Sequence, residues 1–196
     1  THVIEPIELV DQEAVEKYLP PREPILTLHP DHPITMGPVG VPEIYTEARR
    51  QIEVALMQSY DTIVKAWEEF GQIFGRQYHP IETYRTEDAE LIFVTMGSFT
   101  ENAMMAVDEL RDKGERVGLI YIRLWRPFPH KDFHQAIGEA KTLVVLDRAI
   151  TYGINSGPVY SEIRSSLYDK PKKPYSGICG WLGGKRCACR KFYRDG

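Results

Sequence analysis

The body of this 196-residue chain has no cysteine. Cys179, Cys187 and Cys189 all fall near the carboxyl end, so no disulfide ties the remainder together, and a reducing compartment fits. No apolar run nears the roughly 20 residues that a bilayer crossing needs, and the first residues lack the basic-then-apolar order of a secretory signal. On these grounds we read the chain as cytoplasmic. Basic charge is not in excess: 24 Lys and Arg stand against 28 Asp and Glu, for a formal charge of −4. That balance gives no broad attraction for a phosphate backbone or an anionic lipid surface, which argues against nucleic acid and membrane as partners. The chain opens on Thr1 and not on Met, as a cut or processed chain does.

What is present is ordinary for a globular protein, with 42% hydrophobic and 27% charged residues, and one or two domains are expected. Proline is concentrated in residues 1–42, where Pro20, Pro21, Pro24, Pro30, Pro33, Pro38 and Pro42 each fix φ and remove an amide donor. This stretch reads as an extended arm with at most one short helix around Asp11 to Tyr18, and an arm of this kind gains order by lying on something else. From Glu43 to Phe74 the apolar residues Ile44, Ala48, Ile52, Leu56, Ile63, Trp67, Phe70 and Phe74 recur at mostly three or four positions, which predicts a long amphipathic helix. Tyr78 to Thr86 reads as a linker.

Beyond the linker the pattern changes. Leu91-Ile92-Phe93-Val94, Val117 to Ile122 and Leu143 to Leu146 are continuous apolar runs. Between them lie helical patterns through Ala103, Met104, Val107 and Leu110 and through Phe133, Ile137 and Ala140. A last helix, Val159 to Leu167, follows Gly157-Pro158, where proline suits a first turn. Apolar runs separated by helices predict an α/β fold, an open and mostly parallel twisted sheet with helices on both faces and right-handed crossovers. The organisation expected is a Pro-rich arm (1–42), the long helix and linker (43–86), the α/β domain (87–184) and a basic tail (185–196).

The segments Val94-Thr95-Met96-Gly97-Ser98, Ile122-Arg123-Leu124-Trp125-Arg126-Pro127-Phe128-Pro129 and Val145-Leu146-Asp147-Arg148 resemble, in order and spacing, the transketolase C-terminal-like domain of pyruvate:ferredoxin oxidoreductases. Ile4-Glu5-Pro6, Asp11-Gln12-Glu13 and Leu19-Pro20-Pro21 look like the end of that family's pyrimidine-type domain, so the resemblance covers nearly the whole chain. It implies the carboxyl-terminal part of an α subunit of a 2-oxoacid:ferredoxin oxidoreductase. Such an enzyme cleaves a 2-oxoacid such as pyruvate on thiamine diphosphate in anaerobic metabolism. It passes electrons through iron–sulfur clusters to ferredoxin and makes an acyl-coenzyme A. The implied partners are other subunits of the same complex and, at complex level, ferredoxin.

The family's cofactor anchors are a glutamate that activates the aminopyrimidine and a Gly-Asp-Gly motif that holds Mg²⁺ and diphosphate. No Gly-Asp-Gly occurs here, and the glutamate is expected upstream of Thr1. Thiamine diphosphate, Mg²⁺ and 4Fe–4S clusters are therefore expected on other domains or subunits. No catalytic, cofactor-binding or metal residue is assigned within this chain, which is expected to be structural, interface-forming and inactive alone.

Several side chains still carry a choice of readings. Ser98 and Thr100 precede a helix and read as its N-cap, with an anion site as the alternative. Arg123, Arg126 and Arg148 near Asp147 read as structural ion pairs, with a carboxylate or phosphate site as the alternative. His130 and His134 have the spacing of a two-histidine metal face but lack a third ligand, and read as surface or packing residues. His29 and His32 receive no role. Three cysteines at this spacing do not make a cluster, which needs four thiolates. The end of the chain departs from the family where Trp181 interrupts Cys179-Gly180 and Leu182-Gly183-Gly184. The run Lys185 to Lys191 reads as a solvated tail, with an acidic partner as the alternative. A free-standing anion- or nucleotide-binding module is a second reading, though no Gly-x-Gly-x-x-Gly or P-loop follows the first apolar run. The equivalent domain of another thiamine-diphosphate enzyme is a third.

Overall fold

The computed structural model describes residues 7, 9–37, 39–154, 156–168 and 175–179, the last five by their backbone. The chain divides into two compact units, 1–78 and 79–196.

In the first unit, α1 (Gln12–Tyr18) starts where the Asp11 carboxylate accepts the Ala14 amide at 3.2 Å, an ordinary N-cap, and stops before Pro20-Pro21. His29 and His32 pair across a tight turn by a single bridge. The long helix α2 (Pro42–Phe74, 33 residues) carries proline at its start and ends at Gly75, whose φ of 72° only glycine adopts without cost. α1 lies on the last turns of α2. The Tyr18 hydroxyl donates to the Ala66 carbonyl at 2.9 Å, and its ring meets those of Phe70 and Phe74 at 5.7 and 6.0 Å. Gly71 is the one buried residue of α2, under the side chain of Gln77.

The second unit is a five-stranded sheet in the order β1-β3-β2-β4-β5. Its elements are β1 (Ile81–Tyr84), β2 (Leu91–Thr95), α3 (Thr100–Asp112), β3 (Val117–Ile122), α4 (His130–Ala136), β4 (Thr142–Asp147), α5 (Pro158–Ser166) and β5 (Tyr175–Cys179). Strands β2 to β5 run parallel, and β1 pairs antiparallel with β3, Ile81 opposite Ile122 and Tyr84 opposite Leu119. Alternate residues feed two cores. Ile92, Val94, Ile120, Ile122, Leu143 and Val145 face α4 and α5 with Phe133 and Ile163, while Phe93, Leu119 and Leu146 face α3 with Ala103, Ala106 and Val107. Burial on both faces is why β2, β3 and β4 read as unbroken apolar runs.

This is the α/β architecture read from the sequence, with two additions. Ile81–Tyr84, inside the stretch expected to be a linker, is an edge strand, and Tyr175–Cys179 supplies the opposite edge. Arg111 ties the β1–β2 turn to the sheet. Its guanidinium donates to the Val117 and Arg85 carbonyls at 2.6 and 2.7 Å and pairs with Asp88 at 2.7 Å. The turn approaches Gly118 so closely that a Cβ there would sit 2.7 Å from the Arg85 carbonyl oxygen.

Candidate functional site

Open parallel sheets bind ligands beyond the carboxyl ends of their strands, in the crevice where the winding direction reverses. Here the chain leaves β2 toward β3 on one side and leaves β4 toward β5 on the other, so the crevice lies between the ends of β2 and β4. Thr95 and Asp147 occupy those two ends, and both are buried.

Asp147 is 2% exposed. Its carboxylate accepts the amides of Val159 at 3.2 Å and Tyr160 at 2.9 Å, the second and third residues of α5. A carboxylate belongs there, because those amides have no partner within the helix and the helix dipole is positive at that end. Desolvation raises its pKa above the ordinary 3.8, and the two amide hydrogen bonds oppose that rise. Gly157 makes the approach possible: a Cβ at that position would lie 2.2 Å from the Asp147 carboxyl carbon. The anion cradle at the reversal point is thus filled by the protein's own carboxylate.

The reading of Arg123 and Arg126 as members of structural ion pairs holds, but it is corrected in the partner, since the described partners of Asp147 are backbone amides. Arg123 pairs instead with Glu82 of β1 at 3.2 Å and lies over the Tyr121 ring. Arg126 pairs with Glu162 of α5 at 2.8 Å, with its guanidinium 4.3 Å from the Trp125 ring centre. Arg148 is exposed. Arg123 and Arg126 therefore point to two different surroundings.

The N-cap expectation is corrected too. Gly97 turns the chain with a φ of 84°, which makes Phe99 the N-cap of α3, with no side-chain hydrogen bond. Thr100 is the first residue of the helix, and its hydroxyl meets that of Thr95 at 3.0 Å inside the protein, while Ser98 is exposed. In front of this turn lies an open cavity of about 500 Å³, lined by Met96, Ser98, Glu101, Met104, Tyr121 and Arg123 among others. It offers the Glu101 carboxylate, the Ser98 hydroxyl and one already paired guanidinium.

His130 and His134 converge on one residue. The Nδ1 of His130 lies 2.9 Å from the Ser166 hydroxyl, and the Nε2 of His134 lies 2.9 Å from the Ser166 carbonyl and 3.1 Å from its hydroxyl. They join α4 to the last turn of α5. Among the described residues no group of three His, Cys, Asp or Glu is placed to hold a metal. Cys187, Cys189 and the run Lys185 to Lys191 lie outside the described residues, and Cys179 is described only as the backbone end of β5.

Sequence reasoning missed the Asp147 cap and the Ser166 anchor. The Gly157-Pro158 start of α5 marked where a cap was needed, but the capping carboxylate lies at the far end of the β4–α5 connection, at the last residue of β4.

Against known proteins, residues 89–192 match the model of the pyruvate:ferredoxin oxidoreductase core domain II. Over 94% of its length the chain is 42% identical to pyruvate synthase subunit PorA of Methanothermobacter thermautotrophicus, of which it covers 47%. Over 94% it is also 40% identical to the PorA subunit of Methanocaldococcus jannaschii, of which it covers 48%. Over 89% it is 36% identical to ketoisovalerate oxidoreductase subunit VorA of Pyrococcus horikoshii, of which it covers 44%. The chain spans about half the length of the curated relatives it matches.

Proposed function

Because this chain belongs to the pyruvate:ferredoxin oxidoreductase family, we propose that it serves as a structural and interface-forming part of a 2-oxoacid:ferredoxin oxidoreductase α subunit. The observation that carries this reading is the way the strand-end chemistry is used up. Asp147 caps α5, Arg123 and Arg126 hold Glu82 and Glu162, and the paired histidines hold Ser166. Such residues build a platform in which these described strand-end side chains are held by structural contacts.

In this reading thiamine diphosphate supplies the carbanion-stabilising chemistry and iron–sulfur clusters carry the electrons to ferredoxin. The residues of this chain do not fit either group. The sequence has no Gly-Asp-Gly for Mg²⁺ and diphosphate, and the most ready anion cradle, at α5, is closed by Asp147. Other domains or subunits hold the cofactors, and this chain keeps the sheet domain in register with them. The complex works in the cytoplasm and uses coenzyme A as acyl acceptor. Relatives named for pyruvate and for ketoisovalerate both align, so the reading stops at the 2-oxoacid class, with pyruvate the first substrate to try.

The test is to purify the intact native complex anaerobically and follow viologen reduction with a panel of 2-oxoacids, with and without coenzyme A. Reduction that requires thiamine diphosphate supports the proposal and names the substrate. A preparation with neither thiamine diphosphate nor iron–sulfur clusters, inert toward every oxoacid, would sink it.

A further inference from the structure

Helices α4 and α5 meet at Ser166 in a way that packing alone does not require. Two imidazole nitrogens point at one hydroxyl: Nδ1 of His130 lies 2.9 Å and Nε2 of His134 3.1 Å from the Ser166 oxygen. The same Nε2 is 2.9 Å from the Ser166 carbonyl. A spacing of four residues puts both rings on one face of α4, with centres 6.5 Å apart. The His130 ring stands against buried Phe128 at 4.9 Å, and Phe128 packs on Phe133, so its orientation is set from the core outward.

The local field at this point favours a cation. Ser166 is the last residue of α5, where carbonyls lack helical partners and the helix dipole is negative. Because a carbonyl only accepts, Nε2 of His134 carries its proton in this arrangement. A metal ion can take that proton's place, the proton passing to Nδ1 of the same neutral ring. The Ser166 hydroxyl has only to turn about its Cα–Cβ bond to clear the space between the two nitrogens. Rotation of the histidine side chains then closes the approach to the 2.0–2.1 Å, roughly, of a zinc–nitrogen bond.

We propose that His130, His134 and the Ser166 carbonyl form a binding site for one divalent transition ion of the zinc class, which ties α4 to the end of α5. Imidazole suits Zn²⁺, Ni²⁺ and Cu²⁺, whereas Mg²⁺ and Ca²⁺ take oxygen ligands. Three protein donors leave the fourth tetrahedral position to water, and the exposed His130 gives the ion a path from solvent. Among the described residues no group of three side-chain ligands gathers here, so the ion is exchangeable and not a condition of folding. This goes beyond the enzymatic reading and does not depend on it.

The experiment is a titration of the full chain with Zn²⁺ up to about 1 mM, followed by NMR of the histidine rings and by hydrogen exchange. The His130 and His134 ring signals should shift together and saturate, and the amides of α4 and of the last turn of α5 should exchange more slowly. His130→Asn and His134→Gln should each weaken this binding by at least about tenfold, a loss that even outer-shell partners of a metal produce. Circular dichroism should stay unchanged in both variants, and His29→Gln should leave the binding as it was. Mg²⁺ at equal concentration should move neither ring. Zinc that leaves both rings unmoved, including zinc taken up only by the cysteines, overturns the proposal. So does zinc binding at one ring that is indifferent to loss of the other, or an equal response to Mg²⁺, which would mark a general attraction of cations to the helix end.

Discussion

The two units of this chain bury their apolar residues to very different extents. In the sheet unit Phe133, Ile92, Leu119, Leu143 and Ile163 are all less than 2% exposed, and two cores cover both faces of the sheet. The first unit has a 33-residue helix with Gly71 as its one buried residue, and an arm on which Ile25, Leu26 and Leu28 stand open. Fixing a residue costs about 1–2 kcal/mol of backbone entropy, which burial must offset. The sheet unit offsets it from within. The arm and helix do so in part, through α1, and otherwise depend on what they lie against.

Substitutions can measure this contrast, and the largest effect belongs to the sheet core. Phe133 is fully buried and packs against Phe128 at a ring distance of 5.8 Å. Phe133→Ala should cost about 3–5 kcal/mol, for lost transfer energy plus a cavity that α4 and the sheet cannot close. Urea unfolding followed by circular dichroism would measure it. A loss below about 1 kcal/mol would mean that the sheet core is as loosely held as the arm, and the contrast would fail.

Next in size is Asp147. Replacing it with Ala removes the acceptor of one buried and one half-buried amide and should cost about 1–3 kcal/mol. The pH dependence has a definite sign. Burial raises the Asp147 pKa above 3.8, so the folded state holds the proton more tightly than the unfolded state. Its contribution is therefore fully present below the unfolded value and is lost as pH rises through the folded value. Asp88 behaves in the opposite way: its hydrogen bond to Arg111 lowers its pKa, and the stability it gives is lost as pH falls. Asp147→Asn should flatten the first trend and leave the second, which stability measured across the acid range would reveal. An unchanged profile in that variant would show that Asp147 does not titrate with folding.

How much of this was legible in the sequence follows from where each partner lies. The strands β2, β3 and β4 were readable because burial on both faces leaves unbroken apolar runs. β1 was not, because Ile81-Glu82-Thr83-Tyr84 is short and half polar, with Glu82 drawn to Arg123. β5 follows Pro171 and Pro174, which read as loop. At the strand ends, sequence neighbours were poor guides. Arg148 adjoins Asp147 in the chain, yet the carboxylate turns to amides at Val159 and Tyr160. The likeness of the three strand-end motifs to one family was visible without knowing any of these contacts.

A smaller effect is expected where the first unit does hold itself together. Tyr18→Phe removes the hydrogen bond to the Ala66 carbonyl but keeps the ring on Phe70 and Phe74. The loss should be about 0.5–1.5 kcal/mol, confined to the docking of α1. Hydrogen exchange would show faster opening of α1 with the amides of β2 and β4 unaffected. Faster exchange throughout the sheet would mean that the two units unfold as one.

The smallest effect is the one that isolates the bare helix face. Ile52→Ala removes three carbons from a side chain that is 55% exposed, and alanine is the better helix former. In dilute solution, where the chain is alone, stability should change by no more than about 0.5 kcal/mol in either direction. Where a neighbouring surface covers this face, the same substitution should cost more, because the isoleucine then loses a buried contact and not a solvated one. Thermal melts of wild type and variant at two protein concentrations separate the cases. A penalty that grows with concentration shows that the apolar stripe is stabilised by a neighbour. A penalty that is large when dilute would place Ile52 in a core that the first unit makes for itself.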